Sequence, residues 1–141
     1  MEKKKLSPLQ VDVKKVKPLV FGEEYESRMI LDHVITGRDD VIQINHGTVK
    51  AGYALGGATH EEDEIYYILS GKGKLQLDEN IVEVAEGQVI FIPAGCFHAL
   101  DNRDASEDMC ILTFWKDWRF NDAYETRLKL WGKSFKTVDE N

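Results

Sequence analysis

Gly87-Gln88-Val89-Ile90-Phe91-Ile92-Pro93-Ala94-Gly95-Cys96-Phe97-His98-Ala99-Leu100-Asp101-Asn102 reads as a strand, a tight corner and a second strand that carries a histidine. Gln88 to Ile92 is rich in β-branched and aromatic residues, the composition of a pleated, half-buried strand. Pro93 has no N–H for a ladder and Gly95 tolerates positive φ, so the chain turns there. His98 follows three residues after Gly95 on an apolar strand. A hairpin of this kind fixes where an imidazole points, which suits a metal ligand or a catalytic base.

The chain on either side repeats the pattern of short strands and turn signals. Leu9 to Val20 alternates apolar residues with lysines and is expected as a protected edge strand. Ser27 to Ile35 alternates again and places His33 on its apolar face. Val41 to Asn45 and Thr48 to Leu55 are expected to pair as a hairpin, with His46-Gly47 as the turn. A polar, glycine-rich loop covers residues 56–63, and Glu64 to Leu69 is a strand expected to be buried on both faces. Lys74 to Leu77 and Ile81 to Val84 form a further hairpin around Asp78-Glu79-Asn80. Met109 to Trp115 is a late strand.

Only the C-terminus changes period. Asn121 is a suitable N-cap, Gly132 a suitable stop, and Tyr124, Leu128 and Trp131 fall on one helical face. These signals divide the chain into a tail over residues 1–8, a β-barrel over 9–118, and a helix and tail over 119–141. The fold class expected is all-β, a barrel or two-sheet sandwich with one C-terminal α-helix.

Composition bounds the function. At 141 residues the chain is long enough for one domain with a real core. A net charge of −7 argues against nucleic acid and against an anionic membrane as partner. No apolar run is long enough to span a bilayer, and the N-terminus lacks the apolar core of a secretory signal. Cys96 and Cys110 lack the spacing of a zinc framework, so a reduced, cytoplasmic protein is expected.

Three residues carry the chemistry. His60 ends the polar loop, and Glu64 opens the strand that follows, sharing a face with Tyr66 and Ile68. If that face is the barrel interior, His98 on the neighbouring hairpin completes a triangle. Two imidazoles and a carboxylate with open positions suit Fe, Mn, Ni or Zn as a divalent ion. Tyr66 and Phe91 are candidates to line the pocket wall, and so is Cys96, two residues before His98. For Cys96 the competing reading is a small buried hydrophobe. His33 reads as a hydrogen-bonded core or interface residue and His46 as a turn residue. Glu61, Glu62 and Asp63 read as a solvated acidic rim, and Asn102 as a brace for a turn.

These residues resemble the cupin superfamily. Its second motif, G(X)5PXG(X)2H(X)3N, is matched at Gly87, Pro93, Gly95, His98 and Asn102. Its first, G(X)5HXH(X)3–4E(X)6G, is matched in spacing by Gly52, His60, Glu64 and Gly71, with Ala58 where the family has its first histidine. Together with the short spacer between them, the motifs cover about a third of the chain. The resemblance implies a double-stranded β-helix, a small jelly roll, and commonly a homodimer. It also implies His60, Glu64 and His98 as metal ligands, with the fourth position vacant at Ala58. Cupins include isomerases, epimerases, lyases, decarboxylases, dioxygenases and sugar-binding modules. The expectation is therefore a metal-dependent enzyme acting on a small polar metabolite, with a non-catalytic binding or sensing cupin as the alternative.

Overall fold

The computed structural model of the chain describes residue 5 and residues 7–116. Nine strands run in chain order: β1 (Leu19–Phe21), β2 (Tyr25–Leu31), β3 (Gln43–Val49), β4 (Glu64–Ser70), β5 (Lys72–Leu77), β6 (Asn80–Ala85), β7 (Val89–Ile92), β8 (His98–Asp101) and β9 (Met109–Trp115). They form two antiparallel sheets, one ordered β1-β2-β3-β9-β4-β7 and one ordered β6-β5-β8. The layout is the all-β jelly roll expected. Among the described residues no helix is long and apolar enough to cross a membrane. The helix expected between Asn121 and Gly132 lies outside the described residues.

The interior changes character along its length. Val49, Ile68, Leu75, Val84, Ile92, Leu100, Met109 and Ile111 join the two sheets in one apolar core. Further along the same inner face come polar residues. Asn45 pairs in register with Thr113, and Thr113 pairs on its other side with Tyr66. Glu64 lies two residues from Tyr66 on β4 and so shares its face. The large sheet therefore carries an apolar floor and a polar mouth.

Several local expectations give way to what the chain does. The expected strand Leu9 to Val20 is instead a 3-10 turn at Val13–Lys15 followed by the short β1. The Asp12 carboxylate accepts from Lys14 N, and Pro18 cannot donate to a ladder. The second expected strand ends at Leu31, because Asp32 caps a short helix α1 (His33–Thr36) by accepting from Ile35 N at 2.6 Å. His33 thus starts a helical turn rather than facing a sheet.

The expected hairpin at His46-Gly47 is absent. β3 runs straight through, with His46 opposite Leu112 and Gly47 opposite Ile111. Gly47 serves close approach instead of a turn: a Cβ there would lie 2.4 Å from the Tyr25 hydroxyl. β4 is also not buried on both faces. Its outward residues Ile65 and Tyr67 pair with Phe91 and Val89 of β7. Phe91 and Val89 are 59% and 65% exposed, which makes this outer face an open apolar patch.

Candidate functional site

Two turns deliver the histidines to the polar mouth. The loop before β4 is tied to the Pro93-Ala94-Gly95 corner, where Gly95 N donates to the His60 carbonyl at 2.8 Å and Ala94 N to the Asp63 carboxylate at 2.8 Å. Gly95 adopts φ +83°, the left-handed conformation that its position required. Beyond the corner, His98 opens β8 and exchanges both backbone hydrogen bonds with Ala58 at 3.0 Å. Glu64 opens β4. Three separate segments thus converge.

The three ligand atoms lie within 4.8 Å of one another. His98 Nε2 is 3.3 Å and His60 Nε2 3.6 Å from the same oxygen, Glu64 Oε1. The rings meet edge to face, with centroids 4.9 Å apart. Each Nδ1 faces a backbone carbonyl: that of Glu62 for His60, at 2.8 Å, and that of Cys96 for His98, at 3.0 Å. A carbonyl only accepts, so each Nδ1 carries a proton and each ring turns its Nε2 toward Glu64.

A positive charge between the two ring nitrogens and that oxygen draws the three groups together; a proton on a ring supplies one, and so would a divalent ion. Bonds of about 2.1 Å at tetrahedral or octahedral angles would separate neighbouring ligand atoms by roughly 3–3.5 Å, close to the separations seen. The outer hydrogen bonds on Nδ1 are those that orient a metal-bound imidazole. The donor set therefore fits a divalent transition metal.

The surrounding field is consistent with this role. Burial pushes the Glu64 carboxyl up, but the two imidazoles outweigh it and leave it below its usual range. Glu64 is thus ready as an anion. Burial, and then the Glu64 charge, push the Tyr66 phenol well up, so it stays protonated. Its ring stands edge-on to His98 at 6.0 Å.

These groups line one cavity of about 400 Å³. Ala58 and Tyr66 line it, and Ala58 shares its face with His98. Phe91 does not: it points outward from β7, paired with Ile65. Cys96 does not line it either. It lies in the turn before β8 and packs half-buried against the apolar core. Glu62 belongs to the cavity wall as well as to the expected acidic rim, with a carboxylate oxygen accepting from Lys116 N. Asn102 braces the opposite end, donating to the carbonyls of Val49 and Glu107 at 3.2 and 2.9 Å.

Sequence reasoning missed Asn45, Thr113 and Tyr25, which line the cavity on the same sheet as Glu64. Gln43 and Asn45 alternate with apolar residues at the start of β3, and Thr113 interrupts the apolar run of β9; that pattern was the available signal.

The family profile described as "Cupin domain" matches residues 45–115, half of the chain. The chain belongs to the cupin family. Among curated relatives, this cupin is 33% identical over 66 residues to an uncharacterized protein of Streptomyces coelicolor. That match takes in 43% of this chain and 61% of the relative, so the chain spans less than two thirds of that protein. Among solved structures, it is similar to a predicted oxalate decarboxylase from Thermotoga maritima, with a TM-score of 0.69 and 22% identity over 77% of this chain and 99% of the other. It is also similar to the polyketide cyclase RemF from Streptomyces resistomycificus, with a TM-score of 0.70 and 22% identity over 78% and 80% of the two chains. At these identities the two structures bear on the fold alone.

Proposed function

We propose that this cupin is a metal-dependent enzyme acting on a small polar metabolite. His60, Glu64 and His98 would hold one divalent ion, iron, manganese, nickel or zinc. The observation that carries the reading is the pair of imidazoles whose Nδ1 atoms are committed to carbonyls while both Nε2 atoms face Glu64 Oε1. Such an ion supplies Lewis acidity at a site with open positions. The chain's own residues do the rest. Glu64 stays ionised, Tyr66 keeps its proton as a donor beside Glu64, and the apolar floor formed by Leu100 and Ile111 keeps water from the rear of the cavity. Isomerase, lyase and dioxygenase chemistry are all compatible with that arrangement.

Ala58 favours a second reading, a binding or sensing cupin, because it removes one family ligand. Elemental analysis separates the two. The expected result is about one equivalent of a transition metal in the parent protein and none in the His60→Ala, His98→Ala double variant. No metal in either after reconstitution would sink the enzyme reading as stated.

For partners, we propose a small-molecule ligand and a second copy of the chain, with neither nucleic acid nor membrane as a partner. The exposed patch of Ile65, Tyr67, Val89 and Phe91 supports a homodimer. Light scattering of the parent and of Phe91→Glu tests it, the variant being expected as a monomer. Two free thiols, Cys96 and Cys110, support a cytoplasmic location.

A further inference from the structure

The loop that carries His60 leads into β4, and the corner that carries His98 follows β7. These two strands are paired, so both segments leave the sheet at the same end. Hydrogen-bonded pairs recur every second residue along an antiparallel ladder. Ile68 N donates to Gln88 O at 2.9 Å, which sets the phase. The bonded pairs that follow are Tyr66 with Ile90 and Glu64 with Ile92. Were the ladder to continue, the next pair would join Glu62 to Ala94, and Ala94 N would donate to the Glu62 carbonyl.

The chain does something else at that point. The Glu62 carbonyl faces His60 Nδ1 at 2.8 Å, and Ala94 N donates to the Asp63 carboxylate, also at 2.8 Å. A side-chain acceptor has replaced the backbone acceptor of the next rung. The carbonyl so released is the one that aims the His60 ring. His98 has no such competitor for its own carbonyl, which belongs to Cys96 in the corner itself. Between residues 58–63 and 94–98 the other crossing bonds run backbone to backbone: Gly95 N to His60 O, and the mutual pair of Ala58 and His98. Asp63 makes the crossing bond that a substitution can remove.

We propose that Asp63 is a positioning residue: its carboxylate takes the Ala94 N–H and so reserves the Glu62 carbonyl for the His60 imidazole. Without it, Ala94 N and His60 Nδ1 compete for one carbonyl, and the ring loses its fixed direction. The effect on metal binding rests on the reading of His60, Glu64 and His98 as ligands, whereas the effect on the ring does not.

The test compares the full-length parent with Asp63→Ala, Asp63→Asn and Glu61→Ala. Asp63→Asn keeps an Oδ1 acceptor without the charge. Glu61→Ala removes an exposed charge from the same loop and leaves the Ala94 bond intact. Zinc affinity is read by chelator competition, and ring geometry by nuclear magnetic resonance of the metal-free protein. Asp63→Ala should weaken zinc binding by about tenfold, the low end of the effect of losing an outer partner of a ligand. Asp63→Asn and Glu61→Ala should stay within about threefold of the parent, because exposed charges are screened by salt. In metal-free Asp63→Ala, the cross-peak between the His60 and His98 rings, whose centroids lie 4.9 Å apart, should weaken, and the His60 ring nitrogens should shift more than those of His98. A brace that only stabilised the corner would lower the melting temperature without singling out His60. Asp63→Leu keeps the branched shape without an acceptor and replaces Asp63→Ala if that variant does not fold. Unchanged His60 resonances in the variant lacking the acceptor, or an equal loss in Asp63→Asn, would overturn the proposal. If the parent takes up no zinc, the metal reading fails, and the metal-free ring measurement decides on Asp63.

Discussion

His98 Nε2 lies 3.3 Å from Glu64 Oε1 while His98 Nδ1 is held by the carbonyl of Cys96. The ring cannot turn over without giving up that carbonyl, so its Nε2 is committed to the cavity. His98→Ala removes one of three donors. We expect metal affinity to fall by more than the roughly 10–100-fold typical of losing an outer hydrogen-bond partner. Competition against a colorimetric chelator measures it, and retention of parental affinity would remove His98 from the ligand set.

Ala58 points the other way. Its backbone pairs with His98, so a side chain at 58 shares the face of the imidazole and lines the cavity. Ala58→His should add a fourth donor and raise metal affinity by about tenfold or more. The same chelator competition reads the gain, and no gain would mean that position 58 lies outside the coordination sphere.

Gly47 is a test of packing. A methyl group there would lie 2.4 Å from the Tyr25 hydroxyl, inside any real contact. Gly47→Ala should destabilise the fold by about 1–3 kcal/mol, the usual cost of overpacking. Thermal unfolding should show part of that loss restored in the Gly47→Ala, Tyr25→Ala double variant, since the two residues are coupled. Strict additivity would deny the contact.

His46 gives the acid arm of the stability curve a known sign. Burial first, and then the Arg28 charge, hold its pKa below 6.5 in the folded chain. The unfolded state therefore binds the proton more readily. The stabilisation is complete above pH of about 6.5 and is lost as pH falls from there toward the folded value. His46→Gln should flatten the melting temperature between about pH 7 and 5. An equally steep decline in the variant would assign the arm to other groups.

What the sequence made legible was the local chemistry. Pro93 and Gly95 mark their corner by backbone constraints that act within the corner itself, and the spacing of His60 and Glu64 was readable within one loop and strand start. What it hid were relations between distant strands. Gly47 looked like a turn because glycine most often serves turns. Its true reason is the Tyr25 ring on β2, visible only once β2 and β3 are paired. Thr113 was passed over because it stands alone in an apolar strand, and Asn45 because it stands among other polar residues of β3. Their meaning comes from a register that joins positions far apart in the chain. Phe91 was assigned to the wrong face because alternation tells which residues share a side, not which side faces inward.

The carbonyls that aim the two imidazoles belong to Glu62 and Cys96, each two residues from the histidine it holds. The direction of each ligand is thus encoded in a short segment, 60–62 and 96–98, independently of how the sheets pack. Donors organised this way can be traded during evolution one at a time, with the scaffold unchanged beneath them. Ala58 would be one such position: it carries only a methyl group at the rim while its backbone pairs with His98. A family built on this principle diversifies its chemistry at the mouth of the barrel at little risk to its folding.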